Sequence, residues 1–347
     1  MQWQFWIIQT LNSVAFGGLL FLLSSGFSLI FGLMRIPNLA HGAFFMLGAY
    51  FGYTLLTRVG LHFWFAAIFA GLGVGIIGIL MERFVLRALA GNEQGQVLVT
   101  LGVSFIIADI CLLTWTGDPM PLAAPQALRP PLRLFGFAFP TYRLVVLGIA
   151  LVAAVLLYVL MERTRLGAMI RAGVDDMEMA RGVGIPVSRL FTTVFLLGAA
   201  LAGIGGVLGG PILNAYPGLD TDMLPLALIV VILGGAGSLL GAFVGSFIVG
   251  FIYNFGIALA PDLAYFVLFL PMVLILVLTF LRLLTPGFLF RNARYAILLI
   301  FVTAAVITPT PDIPTMMLFA LPLVGLYFLG IGLSYLVLLS RRRSQER

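Results

Sequence analysis

The chain has 347 residues, of which 62% are hydrophobic and 9% charged. A soluble domain carries about 25% charged residues to cover its surface, so this composition excludes a water-soluble globule and points to lipid, where apolar helix exteriors are favoured. The net charge of +6 rests on arginine alone, because lysine is absent.

A membrane span needs ~20 apolar residues. Eleven runs are candidates: 10–34, 39–57, 61–80, 97–116, 143–161, 190–209, 223–234, 239–259, 263–281, 295–308 and 315–338. The runs at 223–234 and 295–308 are short. The opening MQWQFWIIQT has neither a positive start nor a small-residue cleavage site, so it reads as a retained first helix. The stretch Arg35–Tyr50, RIPNLAHGAFFMLGAY, starts a span with Pro37, Asn38 and His41 followed by Gly42. A helix starting at mid-depth there would aim unpaired N–H groups at an anionic group such as a carboxylate. Asp109, in SFIIADICLL, is the acid inside a predicted span, and polar residues in spans tend to mark a pathway. Residues 117–142 hold six prolines and read as an external cap. After the short run at 223–232 comes LGGAGSLLG; a Gly-interrupted segment points to a broken helix near a binding site or to a tight turn, with Gly234, Gly235, Gly237 and Ser238 as path candidates. Spaced glycines such as Gly71, Gly75 and Gly78, then Gly198, Gly205 and Gly209, then Gly241, Gly245 and Gly250, suit close helix packing in lipid.

One polar stretch interrupts this pattern. Residues 162–189, ERTRLGAMIRAGVDDMEMARGVGIPVSR, hold five Arg, two Glu and two Asp between apolar runs. If this stretch is cytoplasmic and every run crosses, fifteen of the nineteen arginines fall on the cytoplasmic side; Arg58, Arg129, Arg133 and Arg143 fall on the other. The positive-inside rule then places the N-terminus outside and the C-terminus inside. Arginines dispersed among spans make nucleic acid a poor partner. Without lysine a P-loop and a Schiff base are impossible. His41, His62 and Cys111 cannot assemble a zinc site of ordinary spacing. The expectation is a transport protein, no enzyme, with no cofactor and no metal.

The segments IFGLMRIPNLAHGAFFMLGAY, LVTLGVSFIIADICLLTWTGDP, RTRLGAMIRAGVDDMEMARGVGIPVSRLFTTVFLLGAALAGIGGVL and VVILGGAGSLLGAFVGSFIVG, in that order, resemble the H-type permease subunit of branched-chain amino acid ABC importers over residues 1–280. The resemblance implies an all-α bundle of about nine spans in a bacterial inner membrane. It also implies a second permease subunit, two cytoplasmic ATP-binding subunits and an extracytoplasmic solute-binding protein as partners. The polar stretch then matches a cytoplasmic coupling helix, at Arg171, Ala172, Gly173, Asp175, Asp176, Ala180, Gly184 and Ile185. Beyond about residue 280, LLTPGFLFRNARYAILLIFVTAAVITPTPDIP and the following apolar run resemble the last two helices of the twin-arginine translocase C subunit, though Thr310 interrupts the tighter Thr-Pro-Pro-Asp turn common there. Residues 281–347 are thus expected to form a two-helix hairpin with a basic cytoplasmic end.

The expected function is inward transport of branched-chain or related small hydrophobic amino acids, driven by partner ATPases. Rival readings are a permease of the same architecture for urea, amides or another small solute, a translocase component defined by the tail, and an ion-coupled carrier using Asp109.

Overall fold

The computed structural model describes residues 2–34, 37–134 and 137–259, with isolated helical positions at 290, 291, 293, 297, 324, 325, 327 and 328. The expected spans at 263–281, 295–308 and 315–338 and the C-terminal hairpin lie outside the described residues. Each of the apolar runs before residue 260 is a helix. They are α1 (Gln2–Met34), α2 (His41–Thr57), α3 (Phe63–Leu80), α4 (Glu93–Trp115), α5 (Thr141–Arg163), α8 (Val187–Leu213), α9 (Leu219–Gly234) and α10 (Leu239–Leu259). The polar stretch folds into α6 (Arg165–Asp175) and α7 (Met177–Gly182).

Six helices among the described residues are long and apolar enough to cross a membrane: α1, α3, α4, α5, α8 and α10. Helix α3 reaches that length through a π turn, Met81–Leu86, and a 3-10 turn, Arg87–Leu89. Helices α2 and α9 have 17 and 16 residues. At 1.5 Å per residue they are about 25 Å long, short of a ~30 Å hydrocarbon core. The Pro-rich stretch after α4 is not featureless: it folds into an antiparallel hairpin, β1 (Pro131–Leu134) with β2 (Phe137–Pro140).

The described chain falls into two compact units. In Gly18–Ser246, α2, α3 and α8 pack through small residues. A Cβ on Gly78 would meet Ala199 Cβ at 2.6 Å, and one on Gly198 would meet the Gly26 carbonyl at 2.8 Å. Gly48 lies directly against Gly203, and Gly206 against the Phe45 carbonyl. Such backbone approach is how helices gain packing in lipid, where burial of apolar area supplies no driving force. The outward faces carry Phe65, Phe69 and Ile76 on α3, Phe105 and Leu113 on α4, and Val155 and Leu156 on α5. These are surfaces suited to acyl chains.

The other unit joins the first 17 residues with those from 247 onward. There Trp6 stacks on Phe255 at 5.7 Å and Phe16 on Tyr253 at 5.0 Å. Gln9 Nε2 donates to the Asn254 carbonyl at 2.7 Å, and a Cβ on Gly250 would strike the Gly17 backbone at 2.8 Å.

Candidate functional site

Helices α6 and α7 are built by local capping. Thr164 Oγ1 accepts from Gly167 N at 3.1 Å to start α6, and Asp176 Oδ1 accepts from Met179 N at 3.0 Å to start α7. Each side chain satisfies a donor that a helix start leaves free. Gly184, at φ +85°, turns the chain out of α7, and Ile185 N returns to the Ala180 carbonyl at 3.0 Å. The pair of helices has an inner and an outer face. Gly173 and Ala180 are buried, and a Cβ on Gly173 would press Leu33 of α1 at 2.9 Å and Leu190 of α8 at 3.3 Å. Arg171 lies across Glu162 at 3.6 Å. Ala172 and Ile185 are half-buried, whereas Asp175, Asp176 and Gly184 are exposed. Met179 and Val183, 65% and 70% exposed, add two apolar knobs inside that charged rim; the sequence reading did not single them out.

Next to this surface, Arg87 holds Glu82 at 2.9 Å and donates to Thr192 Oγ1 at 3.0 Å, while Thr192 donates to Glu82 Oε2 at 2.9 Å. The cluster ties the end of the α3 extension to the start of α8.

A second polar group lies deeper. His41 Nε2 donates to the Leu23 carbonyl of α1 at 3.0 Å, and its ring stacks on Phe27 at 5.3 Å. Leu23 lies ten residues before Leu33, the residue of α1 that touches Gly173. At 1.5 Å per residue along α1, α2 therefore begins about 15 Å from the α6 level; with α6 at the membrane face, that is near the middle of a ~30 Å core. The start of α2 has no side-chain cap. Asn38, 2% exposed, accepts from Ala40 N through Oδ1 at 3.2 Å, which leaves Nδ2 buried without a partner. Gly42 packs on the first turn of α9, where a Cβ would sit 2.6 Å from the Asp220 carbonyl. Helix α4 lines the same place: Thr100 Oγ1 accepts from Leu39 N at 3.2 Å, and Ser104 Oγ donates to Asp220 Oδ2 at 3.5 Å. Tyr50 is fully buried, stacked on Trp115 at 5.1 Å, and its hydroxyl has no partner.

The eight residues marked in the sequence for a path do not form one group. Asn38, His41 and Gly42 meet at this mid-depth cluster. Asp109 lies on the exposed face of α4, beside Phe105, Ile106 and Ile110. Gly234, Gly235, Gly237 and Ser238 form the α9–α10 turn, which docks on the far end of α1. There Gly237 N donates to Ser28 Oγ at 3.1 Å, and a Cβ on Gly237 would reach Val174 of α6 at 3.4 Å. Thr100, Ser104, Tyr50 and Asp220 were not marked. The signal available for two of them is the polar stripe Gln96, Thr100 and Ser104, every fourth residue of an otherwise apolar run.

Residues 9–277 match the family model described as branched-chain amino acid transport system / permease component. LivH of Salmonella typhimurium (strain LT2), a high-affinity branched-chain amino acid transport system permease protein, is 27% identical over 258 residues, covering 70% of this chain and 83% of its own. BraD of Pseudomonas aeruginosa, with the same description, is 28% identical over 254 residues, 68% of this chain and 81% of its own. The C-terminal end resembles the Sec-independent protein translocase protein TatC of Koribacter versatilis, 45% identical over 74 residues, 21% of this chain and 27% of that one. No solved structure matches.

Proposed function

This chain belongs to the branched-chain amino acid transport system permease family, and on that premise we propose that it is the membrane subunit of an ABC importer for branched-chain or related small hydrophobic amino acids. A second permease subunit completes the path, two cytoplasmic ATP-binding subunits drive it, and an extracytoplasmic solute-binding protein delivers the substrate. The N-terminus is outside the plasma membrane and the C-terminus is cytoplasmic.

The observation that carries the reading is the α6–α7 surface. A chain without lysine has no Walker lysine, so ATP energy has to arrive through a contact. Met179 and Val183, rimmed by Asp175, Asp176, Glu178 and Arg181, offer apolar anchors within charge, the arrangement of a docking helix seated in a groove. On its inner side the same pair leans on α1 through Leu33, on α8 through Leu190 and on the α9–α10 turn through Val174. When ATP closes the ATPase pair, a shift of α6–α7 is passed to three helices at once. Two of them reach the mid-depth cluster: α1 holds His41 through Leu23, and α9 carries Asp220. Alternating access then follows as a rigid-body reorientation around that cluster.

The test is reconstitution with the partner subunits in proteoliposomes, with ATP on the side of the ATP-binding subunits and a panel of labelled solutes. Saturable uptake of leucine, isoleucine or valine is the expected result. Uptake of urea or an amide, and of no amino acid, overturns the substrate assignment.

A further inference from the structure

Two acids are buried among the described residues, Glu82 and Asp220, at 2% and 5% exposure. Glu82 has its cation. Asp220 does not: the ion pairs among the described residues are Arg87–Glu82 and Arg171–Glu162. Its side-chain partner is the Ser104 hydroxyl at 3.5 Å, the outer limit of a hydrogen bond. Backbone N–H groups in the first turn of α9 also serve the Asp220 carboxylate, yet no side-chain cation among the described residues balances its charge, and an acid so held inside a membrane protein marks a place a cation can visit.

The surroundings suit one kind of cation. Thr100 and Ser104 are one turn apart on α4, about 6 Å along the helix, and Thr100 holds Leu39, the neighbour of Asn38. The free Asn38 amide, a donor, therefore stands roughly one helical turn from the acceptor at Asp220. The uncapped start of α2 adds positive potential on the Asn38 side. Negative and donor poles at that separation match a zwitterion, whereas a bare metal ion would gain nothing from the amide pole.

We propose that Asp220, with Ser104, seats the ammonium group of a zwitterionic amino acid as it passes through the membrane. The assignment rests on the importer reading and adds to it the group that recognises the amine. It also separates amino acids from neutral solutes such as urea, which have no charge for the carboxylate to hold.

The experiment is binding of tritiated leucine to the detergent-purified complex of permease and ATP-binding subunits, with the solute-binding protein left out so that the membrane path alone reports. Leucinol, which keeps the amine, should displace leucine; 4-methylpentanoate, which lacks it, should not. Asp220→Asn should weaken binding roughly tenfold or more, as expected for loss of a charge-assisted contact. Ser104→Ala should weaken it about threefold. Tight binding in an Asp220→Asn complex that still co-purifies with its ATPases overturns the proposal, as does equal displacement by 4-methylpentanoate. If Asp220→Asn does not assemble, Ser104→Ala decides: weakened binding supports the seat and unchanged binding overturns it. A wild-type complex that imports leucine yet shows no saturable leucine binding also overturns it, with the importer reading intact. A wild-type complex that imports no amino acid at all removes the importer reading itself.

Discussion

Glu82 shows what a buried acid requires in this chain. Its side chain is 3% exposed, Arg87 grips both carboxylate oxygens at 2.9 and 3.0 Å, and Thr192 adds a donor. Arg87 is 40% exposed, so solvent screens part of the pair. Replacing Glu82 by Ala leaves Arg87 and Thr192 without their acceptor and loosens the join between the α3 extension and α8. The expected cost is about 1–2 kcal/mol, read as a lower melting temperature of the detergent-solubilised protein, with Glu82→Gln losing less; an unchanged melting temperature in both contradicts it. Asp109 and Asp220 show the limit of reading such acids from sequence. Asp109 stood out because its neighbours in the chain are all apolar, yet folding turns it to the outer face of α4. Asp220 sits in Gly-Leu-Asp-Thr-Asp, which reads as a solvated turn. Its burial comes from Gly42 of α2 and Ser104 of α4, 178 and 116 positions away, and no local pattern encodes that.

At the scale of elements, spans were legible because a long apolar run has few other fates in lipid. Which runs stop short was legible for 223–234, already short as an apolar run, and not for 39–57, where α2 has 17 residues from His41. The Gly234–Ser238 segment read equally as a helix break at the path or as a tight turn. The structure has a turn, with Gly235 and Gly237 at φ +87° and +82°. Gly32 of α1 and Gly237 touch backbone to backbone. Because neither backbone can yield, Gly32→Leu should force the turn off α1, with a loss of about 2–4 kcal/mol and a sharp fall in the yield of monodisperse protein. Wild-type yield and melting temperature would show that the contact is dispensable. The α6–α7 segment was legible as a place and less so as a surface. Its charges stood out from the sequence, whereas Met179 and Val183 gained meaning once Gly173 and Ala180 were seen facing inward. Arg171, paired with Glu162, lies beside that surface. Arg171→Glu puts like charges together, should unsettle α6 from beneath, and should lower the recovery of ATP-binding subunits on the permease severalfold, with insertion retained; full recovery of both subunits would count against its place in the coupling segment.

For the molecule as a whole, composition alone marks a membrane protein, and the family match over residues 9–277 makes it a permease. The absence of lysine rules out a Walker lysine, and the exposed, capped α6–α7 pair is the surface on which the proposed coupling rests. The tail is similar over 74 residues to a different family. The central claim is that force enters through α6–α7. Its most direct measurement is ATP-driven leucine uptake by proteoliposomes holding the reconstituted importer, comparing wild type with the double variant Met179→Asp, Val183→Asp. The account predicts that the variant inserts normally, fails to retain the ATP-binding subunits and loses uptake at least tenfold. Undiminished uptake by the variant, or concentration of leucine by the wild-type chain with no ATP-binding subunit present, would contradict it.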